Sequence, residues 1–155
     1  DMSIKNVYEV LNEFRLAKTK ADRIAVLRNN DSYALRNVLY GVFNPAIKFK
    51  ISIPEYKKVD IPEGLSYSHM TEALQRIYLF QEGNPRVAPG LTDKRKSELL
   101  IQILESLEEK EAEVYVNLIR KDLKIPYLTE ALVNEAFPTF LPKHQSDSQT
   151  ETGQS

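Results

Sequence analysis

Residues 114–143 read VYVNLIRKDLKIPYLTEALVNEAFPTFLPK, and their punctuation decides the fold. Val114, Tyr115, Leu118 and Ile119 recur at helical spacing and form one apolar stripe, while Arg120, Lys121 and Lys124 gather where that helix runs out. Pro126 breaks the pattern. Thr129 caps a new helix whose apolar positions are Leu132, Val133, Ala136 and Phe137, and Pro138 and Pro142 stop it. Two helices therefore meet across a cationic elbow. Positive charge beside the free N–H groups of a helix start is a grip for a phosphate.

The same periodicity runs through the chain ahead of the elbow. Val7, Val10, Leu11 and Phe14 share one face of a first helix over residues 3–16. Thr19, with Asp22 three residues on, opens a second through Ile24 and Leu27 to Asn29-Asn30. Asp31 or Ser32 opens a third, built on Leu35, Val38 and Leu39 and ending at Gly41. Lys18, Lys20, Arg23, Arg28 and Arg36 cluster around these links, where the ordinary reading is a solvated polar face.

Asn44-Pro45 ends the helical spacing, and Ile47, Phe49, Ile51 and Ile53 then alternate with Lys48, Lys50 and Ser52. This is an extended segment, lying over the helices or pairing with residues 57–61 in a small hairpin. Ser68 caps a fourth helix to about Gln81, with Met70, Ala73, Leu74 and Ile77 inward and Tyr67, Tyr78 and Phe80 packed beside it. Thr92 caps a fifth, carrying Leu99, Leu100, Ile103, Leu104 and Leu107. Lys94, Arg95 and Lys96 occupy its first turn, where the helix dipole opposes each cation by about 0.3–1 kcal/mol. A docked anion turns that arrangement favourable. The acidic run 108–113 reads as the start of a sixth helix and has no metal-ligand spacing.

The expected fold is all-α: one helical domain, residues 1–143, of about six to seven short helices with one extended, irregular connection. The remainder, HQSDSQTETGQS at 144–155, has no large apolar residue and is expected to be a disordered tail. The chain of 155 residues is 42% hydrophobic, enough for one core. Lys and Arg total 21 against 22 Asp and Glu, so a globally basic nucleic-acid coat is excluded, but the charge is uneven. Residues 1–60 hold eleven cations and seven anions; residues 126–155 hold one and four. There is no cysteine, hence no disulfide, thiolate nucleophile or cysteine metal site. His69 and His144 read as solvent-facing residues without a catalytic partner. No apolar run approaches the roughly 20 residues that span a bilayer, and a cytoplasmic location is expected.

Four segments in order carry a resemblance. IKNVYEVLNE, then TKADRIAVLRNN with LRNVLY, then GLTDKRKSELL, and finally VNLIRKDLKIP with VNEAFPTFLPK resemble the N-terminal DNA-binding domain of the ATP-dependent DNA ligases of T-even-type bacteriophages. From first to last they span Ile4 to Lys143, about nine-tenths of the chain, far more than one short pattern would. The resemblance implies an all-helical module that grips duplex or nicked DNA through its sugar-phosphate backbone without reading sequence. It assigns phosphate contacts to Lys94, Arg95 and Lys96 at one helix start and to Arg120, Lys121 and Lys124 at the elbow, with Lys18, Lys20 and Arg23 as further contacts. Asp93-Lys94 stands where the family has Gly-Asn, and an elbow glycine is replaced around Ile125-Pro126.

The K-x-D-G nucleophile of the ligases occurs nowhere in the chain. The expectation is a non-enzymatic phage accessory protein in the infected host cell, without cofactor, metal, small-molecule substrate or membrane partner. The alternative is an adaptor or inhibitor that uses the same fold on a replication protein such as the sliding clamp, or on a host protein.

Overall fold

The computed structural model describes residues 4–62 and 64–143. Among these residues it is all-helical: α1 Val7–Leu16, α2 Lys20–Asn29, α3 Tyr33–Phe43, α4 Ser66–Gln75, α5 Asp93–Leu104, α6 Glu109–Ile119 and α7 Glu130–Ala136. The polar residues expected to open helices do so. Thr19, Ser32, Thr92 and Thr129 accept hydrogen bonds from the N–H groups of Asp22, Leu35, Arg95 and Leu132, each three residues on.

Two helices differ from expectation: α1 begins at Val7, behind Asn6, rather than at residue 3, and α4 differs at both ends. α4 begins at Ser66 rather than behind a Ser68 cap, because the Ser68 hydroxyl donates back to the Leu65 carbonyl. The helix stops at Gln75, and residues Ile77–Phe80 tighten into a 3₁₀ turn. His69 is half-buried rather than open to solvent, with Nδ1 3.0 Å from the Ser106 carbonyl oxygen. The tail expected at 144–155, with His144, lies outside the described residues.

Packing places α6 at the centre. It lies against α1 on one side and α3 on the other; α1 carries α2, α2 carries α7, and α3 carries α4. The apolar faces of all seven helices meet in one core that includes Phe14, Leu39, Met70, Leu104 and Tyr115, with Tyr115 donating its hydroxyl to the Ala73 carbonyl at 2.8 Å. Gly41 permits the close α3–α6 approach: a Cβ there would stand 2.5 Å from Leu118 Cδ1. Behind α7, Phe137 and Phe140 turn back onto α3, where the Arg36 guanidinium lies 4.2 Å and 4.9 Å from their ring centres.

The extended segment takes the first of its two expected arrangements. It lies over the helices and makes a single antiparallel bridge, Phe49 with Gln81. Residues 57–61 are not its partner; Val59 instead bridges to Glu108. The bridge sends the Lys50 N–H to the Phe80 carbonyl at 2.9 Å and the Glu82 N–H to the Lys48 carbonyl at 2.6 Å. Ile47, Phe49 and Ile51 are half-buried, while Lys48 and Lys50 are exposed, as the alternation requires.

Candidate nucleic-acid interface

The elbow after α6 is built on an unusual choice of residue. The Lys121 N–H donates to the Leu118 carbonyl at 2.9 Å and the Asp122 N–H to the Asn117 carbonyl at 3.0 Å. This pair of bonds is the Schellman closure of a helix, and it demands a left-handed residue, usually glycine, where Lys121 stands with φ of 57°. Lys124 and Tyr127 repeat the conformation at 58° and 68°. Each costs about 1 kcal/mol for a residue with a Cβ. The backbone shapes that favour glycine thus fall at Lys121, Lys124 and Tyr127, on either side of Ile125-Pro126.

The side chain of Lys121 explains why a lysine is kept there. Its ammonium donates to the Gly41 and Asn44 carbonyls at 2.9 and 2.7 Å and also to the Ile47 carbonyl. These carbonyls lie at the end of α3 and the start of the extended segment. All three ammonium protons are used, and burial lowers the group below the ordinary lysine value. Lys121 therefore holds the elbow to the end of α3 and is not presented to a phosphate.

The cations of α2 are also engaged. Lys20 pairs with Glu135 of α7 at 2.8 Å, and the Arg23 guanidinium lies 3.9 Å over the Tyr127 ring. Arg28 donates to the Glu135 and Ala136 carbonyls, both at 2.9 Å, and so satisfies the C-terminal end of α7. The N-terminal basic cluster thus largely fastens α7 to α2. Lys18 is exposed in the link before α2.

Besides Lys18, cations open to a polyanion lie at the start of α5, along the extended segment and at the elbow. Lys94 and Arg95 are exposed and Lys96 is half-buried; Arg95 approaches Glu98 at 3.5 Å. An open cleft of about 440 Å³ is lined by Lys50, Ile51, Ser52, Asp93, Lys96 and Ser97. A second cleft of about 270 Å³, against the 83–91 loop, also has Lys50 and Lys96 in its wall. The two lysines, remote in sequence, stand together between the clefts, tempered by Asp93 in one and Glu82 in the other. At the elbow, Arg120 and Lys124 are exposed. Lys48 and Lys50 were not singled out as contacts from the sequence, although the alternation that places both on the outer face was the available signal.

A different surface lies between α1 and α6. There Leu11, Val114, Leu123 and Ile125 floor a groove of about 250 Å³ with Lys110 and Glu113 among its polar groups. Among the described residues no group of His, Asp or Glu side chains is arranged to hold a metal ion, and no helix is long and apolar enough to cross a membrane.

Comparison with known proteins places residues 10–125 within a family described as a family of unknown function, DUF6433. No curated protein matches the chain.

Proposed function

The chain belongs to this family of unknown function, and from that premise we propose that it is a non-catalytic module that binds duplex or nicked DNA through the sugar-phosphate backbone. Its setting is the infected host cell, where it serves phage replication or repair. The observation that carries the reading is the convergence of Lys50 on Lys96 beside Lys94 and Arg95. Lysine ammoniums act as point charges, suited to phosphates without base readout. The resemblance to the ligase DNA-binding domain supports the same class of ligand.

The test is fluorescence anisotropy with nicked and intact duplexes across a salt series. Affinity should fall steeply as salt rises, because phosphate contacts release counterions. Replacing Lys94, Arg95 and Lys96 together by Glu should weaken binding by at least about tenfold at constant salt. Binding indifferent to salt, or unchanged in the triple variant, contradicts the reading. The groove between α1 and α6 favours a second one, a replication or host protein docked there, and that partner would be lost on substitution of the exposed groove residue Glu113→Lys while DNA binding remained.

A further inference from the structure

We propose that Lys48 and Lys50 join the start of α5 to the elbow as one cationic track, along which a single sugar-phosphate strand of the duplex lies. The inference rests on the DNA-binding reading above and names the surface that does the binding. The extended segment is fastened at two points, Ile47 and Phe49. At its beginning the Ile47 carbonyl is held by the Lys121 ammonium, immediately beside Arg120 and close in sequence to Lys124. Two residues on, the Phe49 bridge to Gln81 fixes the backbone, using the Lys48 carbonyl and the Lys50 N–H inward. The half-buried side chains of Ile47, Phe49 and Ile51 settle which face is turned to the core, so Lys48 and Lys50 project outward together.

Residues two apart on an extended strand stand about 7 Å from each other, the axial span of two phosphates on one strand at about 3.4 Å each. Beyond Lys50 the track continues to Lys96 across the shared clefts, then to Lys94 on the first turn of α5. Backward, it reaches the exposed Arg120 and Lys124. Neither Lys48 nor Lys50 forms a side-chain hydrogen bond or ion pair among the described residues, unlike Lys20, Arg28 and Lys121. Without an ionic partner in the fold, each is available to a phosphate. A linear array of ammoniums on a rigid edge fits a regularly charged polymer better than a folded acidic protein, whose carboxylates carry no such repeat.

The experiment compares the wild-type chain with K48E/K50E, K48Q/K50Q and K143E on a nicked duplex, by anisotropy across salt. All three substituted positions are exposed, and circular dichroism checks that each variant melts as wild type. The proposal expects K48E/K50E to bind about tenfold or more weakly, with the slope of log affinity against log salt shallower by about 2, since each lost phosphate contact removes about 0.9. K48Q/K50Q should fall between, and K143E, at an exposed lysine outside the track, should match wild type. Wild-type binding by K48E/K50E, alongside loss in the Lys94–Lys96 triple variant, overturns the track while leaving the DNA reading standing. Absence of binding by wild type overturns both.

Discussion

As pH rises from about 4.5 to about 7 the protein is expected to lose about 3 kcal/mol of folding stability through one side chain, Glu111. Its carboxylate is fully buried, at 0% exposure, between α6 and the start of α1. There it accepts the Tyr8 N–H at 2.8 Å and the Val7 N–H at 3.3 Å, two of the donors that the first turn of a helix leaves without intrahelical partners. Burial pushes its pKa from 4.5 to about 7; the two N–H bonds pull the other way, and the Glu108 and Glu9 carboxylates add to the rise. No cation is paired with it among the described residues. The remaining groups at this corner are the Tyr8 phenol, itself raised by burial, and the Lys110 ammonium 5.6 Å from the Tyr8 ring centre.

Because the folded value lies above the unfolded one, the contribution is fully present below pH 4.5 and is lost as pH rises to about 7. Above that it is flat. Glu111→Gln removes the titration while keeping one acceptor oxygen. Urea unfolding of both proteins along a pH series should show the stability of the Gln variant, relative to wild type, rising with pH by about 3 kcal/mol. A difference constant across the range would mean that Glu111 stays charged throughout.

Lys121→Gly is expected to destabilise the protein by about 2 kcal/mol, although glycine suits the local backbone better. The left-handed conformation at φ 57° favours the substitution by about 1 kcal/mol. Against this stands the loss of the ammonium from the Gly41, Asn44 and Ile47 carbonyls. Hydrogen bonds to a charged group contribute about 1.5–3 kcal/mol each when well shielded, and the half-exposed site here reduces the set to about 3 kcal/mol in total. The sign separates two roles. Were Lys121 only a helix-ending residue, glycine would raise the melting temperature; as the clamp between elbow and extended segment, it lowers it. Lys121→Arg should recover part of the loss, since a planar guanidinium cannot turn three donors onto one point.

The helices and their caps were legible because both depend on neighbours within one turn. Thr19, Ser32, Thr92 and Thr129 bond three residues ahead, and the apolar stripes of α1, α3, α5 and α6 name their own buried faces. The fates of the cations were not legible, because they are decided by partners far along the chain. Lys121 reaches carbonyls 74 to 80 residues upstream, and Arg28 reaches 107 and 108 residues downstream. A lysine on a helix end reads the same whether it faces solvent or fills a ring of carbonyls. Glu111, one carboxylate in an acidic run, likewise gave no sign that it alone turns inward to cap another helix. In the opposite direction, the alternation around Phe49 already separated Lys48 and Lys50 from the core, but only the bridge to Gln81 brings Lys50 beside Lys96.

The most direct test of the DNA-binding account is a titration of isotopically labelled protein with a nicked duplex, followed amide by amide. The account predicts shifts concentrated in residues 47–52 and 92–98, with weaker changes at 120–124, and the α2–α7 contact undisturbed. Shifts confined to the Lys20, Arg23 and Glu135 surface or to the α1–α6 groove, or no shifts at low salt, would contradict it.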